Sequence, residues 1–248
     1  MLSIILSFSS VQTSLARMAT NRLNKAYGTS IAVQKLDLSS IRNVALKNVL
    51  IRDHHGDTLI AAESLETSVL NYRQLFSNEL KFGDIYLKNG KLVLKTYKDE
   101  PINSLSVFVN KFKKDSRKVS KTFKMSSSAI SVEGIDFSLY NENKREGPIV
   151  YYNQIKGDFV DLNIEGSNVS VKVRGIEVVE NHDLTVSSFT TDFSYSDTRM
   201  EFIGTELATK GSELVADVVF QYEKGDLSDF TNKVQIEVDF KKADVVLS

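Results

Sequence analysis

A period-two alternation of apolar and polar residues is the feature that most constrains the fold of this chain. Stretches such as 169–174 (VSVKVR), 214–220 (LVADVVF) and 234–240 (VQIEVDF) carry apolar side chains at every second position. Successive side chains of a strand point to opposite faces of its sheet, so the pattern predicts strands with one apolar and one solvated face. Average usage predicts roughly 12 Pro and 17 Gly, whereas the chain has 2 and 12. This scarcity favours long strands over a sandwich of many short ones.

Three glycines shift the phase of the alternation. The apolar positions change parity at Gly83, at Gly134 and at Gly175. A glycine inside a strand commonly marks a bulge or bend, and a phase shift keeps apolar side chains on one face only if the backbone kinks there. We therefore expect a mainly-β fold built on a long antiparallel sheet that is curved along its length.

Local signals add a hairpin and a few helices to this sheet. The dipeptide Asn89-Gly90 lies between two apolar runs and offers the two positive-φ residues of a tight turn, so it predicts a β-hairpin. Apolar residues at helical spacing predict a helix over Gln12–Tyr27. Shorter helical segments are expected at Ser104–Lys113 and near Asn71–Phe76.

The amino-terminal residues 1–11 (MLSIILSFSSV) are apolar and follow no lysine or arginine. A bilayer span needs about 20 residues, and a secretory signal has a basic start and a small-residue cleavage site. The segment is therefore either the truncated end of a membrane anchor or a hydrophobic helix packed on the domain. We divide the chain into residues 1–28, an anchor end plus an amphipathic helix, and residues 29–248, a β-rich domain. Because the strand pattern runs to the last residue, we expect the natural protein to be longer.

Candidate chemistry is sparse. The absence of Cys removes disulfides, thiolate zinc sites and cysteine nucleophiles, and the common phosphate-binding, zinc-protease and serine-hydrolase motifs are missing. His54 and His55, within 53–58 (DHHGDT), are the one pair that suggests a metal. Adjacent strand residues point to opposite faces, and Gly56 indicates a hairpin tip, so we interpret the stretch as a solvated turn. We expect no enzyme activity, no catalytic residue, no cofactor and no metal.

The charge balance argues against nucleic acid as a partner. The chain carries 31 Lys+Arg against 32 Asp+Glu, whereas proteins that neutralise phosphates show a basic excess. The segment Lys111–Lys124 has seven basic residues, one acidic residue, and two interleaved phenylalanines. Such a run can bind phosphate-rich surfaces such as lipid head groups, but we favour a mobile, solvated loop between strands.

A one-sided apolar sheet must be covered by another layer or by lipid. The predicted helices are too few for so many strands, so the sheet either folds on itself as a sandwich or barrel or forms an open trough for acyl chains. Each methylene buried in such a trough contributes about 0.8 kcal/mol. The residues that we expect to line it are Ile135, Phe137, Leu139, Val169, Val171, Val173, Leu214, Val218, Phe220, Val234, Ile236 and Val238.

Four stretches resemble the amino-terminal region of the TamB family of AsmA-like bacterial envelope proteins, in the form found in Bacteroidetes. They are residues 27–65 (YGTSIAVQKLDLSSIRNVALKNVLIRDHHGDTLIAAESL), 80–100 (LKFGDIYLKNGKLVLKTYKDE), 123–143 (FKMSSSAISVEGIDFSLYNEN) and 192–222 (DFSYSDTRMEFIGTELATKGSELVADVVFQY). The resemblance rests on strand patterns and turn positions, and it covers most of residues 11–222.

The resemblance implies a taco-like β-groove with an apolar concave face, an amino-terminal helix and one or two short helices. It also implies an inner-membrane anchor, a periplasmic location, and a barrel-assembly partner in the outer membrane that binds a carboxy-terminal domain absent from these residues. The implied roles are outer-membrane protein assembly and phospholipid transport between membranes. The alternative is a closed β-domain without a lipid cavity, which has a structural or protein-interaction role in the envelope.

Overall fold

Eleven β-strands form a single sheet in which each strand lies beside its neighbours in the chain, and this sheet is not closed into a barrel. The computed structural model describes residues 9–38, 43–69, 79–112, 122, 124–180, 185–224 and 226–244. The strands are β1 (Ser30–Leu38), β2 (Asn43–Arg52), β3 (Thr58–Val69), β4 (Glu79–Thr96), β5 (Lys124–Asn141), β6 (Pro148–Glu165), β7 (Asn168–Glu180), β8 (Val186–Tyr195), β9 (Arg199–Thr209), β10 (Glu213–Gln221) and β11 (Gln235–Asp244). The helices are α1 (Ser9–Tyr27), α2 (Ser104–Asn110), a 3-10 turn (Asp226–Asp229) and α3 (Phe230–Lys233). The expected mainly-β fold is confirmed.

The sheet is antiparallel except between β4 and β5, which run parallel. The hairpin predicted at Asn89-Gly90 is wrong, because β4 continues through both residues. Gly90 lies opposite Ala62 of β3 on one side and Ile135 of β5 on the other. Since no turn reverses the chain at Gly90, the connection after β4 must return the chain along the sheet before β5 begins. That return, which contains α2, makes the two strands parallel.

A row of irregular positions crosses the first five strands. Gln34, Asn48, Glu63, Asn89 and Gly134 lie side by side, each at a point where the regular pairing skips one residue. Asn48, Asn89 and Gly134 have φ values of 51°, 48° and 68°. The Asn89 side-chain amide donates to the Glu63 carboxylate at 2.9 Å, and the Asn48 amide donates to the Gln34 side chain. Each strand changes parity at the same level in this row, which we call the crease, and irregularities of this kind are typical of bent strands.

The glycine phase shifts predict strand irregularities correctly. The pairing register shifts beside Gly83, Gly134 and Gly175. Two further glycines, Gly157 in β6 and Gly204 in β9, lie at register shifts that the alternation does not reveal. Bulges bend a strand and increase its twist, so we expect these positions to curve the sheet.

Paired residues of neighbouring strands lie on the same face of a sheet, so the register divides this sheet into two faces. We call the face that carries Phe202 and its paired neighbours the inner face. It carries mostly apolar side chains. The outer face carries rows of charge, with ion pairs between neighbouring strands. These pairs are Lys88–Glu133, Lys124–Glu165, Lys156–Glu177, Lys172–Asp161 and Arg174–Asp192, at 2.5–3.0 Å.

Helix α1 packs against the inner face at the β1 end of the sheet. Ala16 of this helix is buried against Leu36 of β1 and Val44 of β2. The Asn24 side chain fixes the turn that follows, since it accepts from the Ile31 amide at 2.8 Å and donates to the Ile31 carbonyl at 2.9 Å. The prediction of a helix over Gln12–Tyr27 is confirmed, with three more residues at its start.

Helix α2 confirms a short helix within Ser104–Lys113, although it ends three residues earlier. Residues 1–8 of the apolar start, most of the basic segment, and the helical turn expected near Asn71–Phe76 lie outside the described residues. Among the residues that the structure describes, no helix combines the length and the apolar character needed to span a bilayer.

Candidate functional site: the apolar inner face

Apolar side chains continue across the inner face from strand to strand. In β2 to β6, one row of directly paired residues comprises Ile51, Ile60, Leu92, Phe137 and Tyr152. In β7 to β11, two adjacent rows comprise Val169, Tyr195, Met200, Phe220 and Ile236, and Val171, Phe193, Phe202, Val218 and Val238. Each row crosses at least five strands without a charged residue, so the apolar character belongs to the whole face and not to separate patches.

The predicted lining residues lie on this face but are not sealed into a core. Of the twelve, Val173 alone is buried, and Ile236 and Val238 remain 51% and 40% exposed. The other nine are half-buried. Val234 lies immediately before β11, and the other eleven lie within strands. A closed sandwich or barrel would bury these side chains almost completely, so their exposure shows a face that is open to solvent.

A chain of aromatic rings crosses the inner face near its β11 end. The ring centroids of Phe193 and Phe202 are 5.0 Å apart, those of Phe202 and Phe220 are 6.0 Å apart, and those of Phe220 and Phe230 are 5.7 Å apart. Phe230 belongs to α3 and stays 41% exposed, so this short helix adds an aromatic side chain above the sheet. The alternation around 193–202 (FSYSDTRMEF) could have identified the first two residues, whereas no local pattern identifies Phe230.

Cover over the inner face is concentrated near β1. α1 contacts β1 extensively, α2 lies beside β4, and Phe112 after α2 packs its ring on Tyr27 at 4.8 Å. Substantial contacts between described strands join only neighbours in the sheet, so the sheet does not fold back on itself.

Buried polar groups beneath the inner face are satisfied within the sheet. Thr191 and Thr205 share a hydrogen bond of 2.9 Å between their hydroxyls, and the Ser127 hydroxyl donates to the Gly83 carbonyl at 2.7 Å. The charged side chains pair with one another on the outer face instead. There, the Arg199 guanidinium and then the Ser194 hydroxyl lower the pKa of Glu201 by hydrogen bonding. The rows of the inner face therefore offer apolar contact.

The stretch 53–58 is the turn between β2 and β3, as predicted. Because both histidines belong to the turn and not to a strand, their imidazoles are free to lie on the same side. His54 and His55 both reach the carboxylate of Glu100, at 2.8 and 2.6 Å. Glu100 follows β4, 46 residues after His54, so sequence reasoning did not connect it with the histidines.

Comparison with known proteins gives no match to any protein-family model and none to a curated protein. The resemblance to the TamB family therefore stays a prediction. Any function must be inferred from the fold and surfaces of this chain.

Proposed function

We propose that this protein is a non-enzymatic lipid-binding trough of the bacterial cell envelope. In the manner of the TamB and AsmA-like proteins that it resembles, it would be inner-membrane anchored and periplasmic, and would serve phospholipid transport and outer-membrane protein assembly. The observation that carries the proposal is the apolar inner face, which continues from β5 to β11 largely uncovered by the described helices.

The size of the uncovered face supports a large apolar ligand. Seven strands spaced about 4.8 Å apart and at least about 30 Å long give a footprint of roughly 900 Å². The largest apolar patch of an ordinary monomer is about 300–600 Å². The whole sheet is about 48 Å across its eleven strands, whereas one leaflet of a bilayer core is about 15 Å thick. An acyl chain therefore fits on the face in any direction.

The energetics favour exchange of lipid over tight capture. A tail that lays about ten methylenes on the face gains about 8 kcal/mol relative to water. A tail that arrives from a bilayer was already fully out of water, whereas an open face covers only one side of it, so the transfer is unfavourable by roughly half of that gain. A surface that holds acyl chains without a strong polar anchor lets them enter and leave, as transport requires.

The first experiment asks whether the protein binds phospholipid and which face does so. We expect native mass spectrometry of the purified chain to show bound phospholipid, and a fluorescent phospholipid to be taken up. Val238→Asn, on the inner face of β11, should weaken uptake. Asp239→Asn, the adjacent outer-face change, should not. Absence of both bound lipid and uptake, or equal loss in the two variants, would contradict the proposal.

A protein-interaction role is the second candidate, and the edge of β11 favours it. Among the described strands, β11 pairs with β10 alone, and its Ile236, Val238 and Phe240 are 40–61% exposed. An unprotected edge can add a strand from another chain. Self-association in analytical ultracentrifugation that Phe240→Lys abolishes would support this role. A lipid-free protein that stays monomeric at high concentration would count against it.

A further inference from the structure

We propose that His54, His55 and Glu100 form a binding site for a divalent transition-metal ion of the zinc type. The ion would tie the turn between β2 and β3 to the segment that follows β4. This site lies apart from the inner-face rows, and the proposal does not depend on lipid binding.

The three side chains already meet at one point. The Nε2 atom of His54 lies 2.8 Å from one carboxylate oxygen of Glu100, and the Nε2 atom of His55 lies 2.6 Å from the other. All the ligand atoms fall within 4.8 Å of one another. Zinc–ligand distances of about 2.0–2.2 Å place the ligands of a tetrahedral ion about 3.4 Å apart. Shifts of about 1 Å or less therefore convert the hydrogen-bonded cluster into a coordination sphere.

The ligand set selects the kind of ion. Two imidazoles with one carboxylate match the three-ligand zinc sites in which the fourth position is left to water or an outside ligand. Imidazole nitrogen favours zinc, copper and nickel, whereas magnesium and calcium prefer all-oxygen sites. The chain has no cysteine to compete for the ion.

The turn that carries the histidines is fixed by hydrogen bonds within it and by contacts with Tyr97. The Asp53 carboxylate accepts from the backbone amides of His55 and Asp57, both at 2.9 Å. The Tyr97 hydroxyl lies 2.6 and 2.9 Å from the Asp53 and Asp57 carboxylates, which share its single proton. The His55 ring stacks on the Tyr97 ring with centroids 3.8 Å apart. These contacts hold the backbone of the turn and the His55 ring, and the His54 ring lies edge-on to Tyr97 with centroids 5.5 Å apart.

The segment that carries Glu100 is held by further hydrogen bonds with Asn143. The Asn143 side-chain amide donates to the carbonyls of Glu100 and Tyr97 at 3.0 and 3.2 Å, and the Asp99 amide donates to Asn143 at 2.8 Å. The side chains of His54 and Glu100 are 22% and 27% exposed, so the cluster is partly enclosed yet reachable from solvent. Tyr97 thus joins the two segments, and together they present their ligands to one point before an ion binds, which lowers the entropy lost on binding.

The test is calorimetric titration of the full chain, stripped with a chelator, with zinc chloride. We expect one zinc site, and no heat from magnesium chloride. Glu100→Gln keeps the size of the side chain but removes its charge and replaces one acceptor oxygen with an amide donor, and should weaken zinc binding by at least about tenfold. His55→Ala should do the same. Glu142→Gln is the matched control, because Glu142 is a nearby carboxylate that pairs with Lys95.

A second measurement separates loss of the site from loss of the fold. Zinc should raise the Tm of the wild type and of Glu142→Gln, because an ion that binds only the folded state stabilises it. The Tm of Glu100→Gln should not change when zinc is added. Circular dichroism checks that each variant is folded. Absence of zinc binding to the wild type at 100-micromolar concentrations, or equal affinity in wild type and Glu100→Gln, would overturn the proposal.

Discussion

A carboxylate placed at Ile236 separates an open trough from a closed core. Ile236 lies on the inner face of β11, directly opposite Phe220 of β10, and it is 51% exposed. The substitution Ile236→Asp therefore places a charge on the apolar face at a position that still reaches water. Gln235→Asp is the matched control, because the adjacent side chain is exposed and points to the outer face.

The expected loss of stability is small. Full burial of an isoleucine side chain contributes about 1.5–3 kcal/mol, and roughly half of that applies at Ile236. With the poor strand propensity of aspartate, Ile236→Asp should destabilise the protein by at most about 2 kcal/mol. Val173 is only 7% exposed, so the same substitution there shows the loss of stability expected at a closed site. There, the buried carboxylate of Val173→Asp should remove more than about 4 kcal/mol.

The expected loss of lipid binding is larger. An acyl chain that can no longer bury two or three methylenes against position 236 loses about 2 kcal/mol, which is about thirtyfold in affinity. Urea denaturation followed by circular dichroism measures stability, and titration with a fluorescent phospholipid measures affinity. Gln235→Asp should change neither. The reasoning is refuted if Ile236→Asp unfolds the protein as Val173→Asp does, or if it binds lipid as the wild type does.

Two further substitutions test the strands that shape the trough. Gly90→Ala should destabilise by more than about 2 kcal/mol in urea denaturation, because the added Cβ would lie 2.4 Å from the Ala61 carbonyl oxygen; a change below about 1 kcal/mol would contradict the continuous strand. Arg199 and Ser194 lower the pKa of Glu201, so its ionised form stabilises the folded state above the ordinary glutamate pKa of about 4.3. The difference in unfolding free energy between wild type and Glu201→Gln should therefore be present at neutral pH and shrink as the pH falls below about 4. A difference that stays constant in denaturation curves measured across this pH range would contradict the prediction.

The alternation of side chains predicts much of the fold because strand periodicity is a local property. The parity changes at Gly83, Gly134 and Gly175 mark real register shifts. The helical spacing over Gln12–Tyr27 is equally local, and α1 forms there. Each of these predictions needs only the residues within a few positions of the feature.

The prediction at Asn89-Gly90 fails because a positive φ has more than one structural use. Asn89 does adopt a φ of 48°, as the dipeptide suggested. The neighbouring strands, however, continue past it on both sides, so the kink becomes part of the crease and not a turn. Whether a positive φ makes a turn or a kink depends on strands elsewhere in the chain. The parallel pairing of β4 and β5 depends on the same distant strands.

Long-range contacts also explain what sequence reasoning missed at the sites. Phe230 reaches Phe220 from a separate helix. Glu100 contacts His54 although 46 residues separate them, because β4 ends beside the turn between β2 and β3. Apolar rows could be anticipated from each strand alone, whereas these contacts follow from how the strands are paired.

Site-specific photo-crosslinking tests most directly whether the inner face holds acyl chains. A photoreactive amino acid replaces either Val171, which lies on the inner face opposite Phe193, or its neighbour Ser170, which is exposed on the outer face. After illumination with phospholipid vesicles, we predict a lipid adduct at position 171 and none at position 170. An adduct-free position 171, or equal labelling at both positions, would contradict a lipid-binding trough.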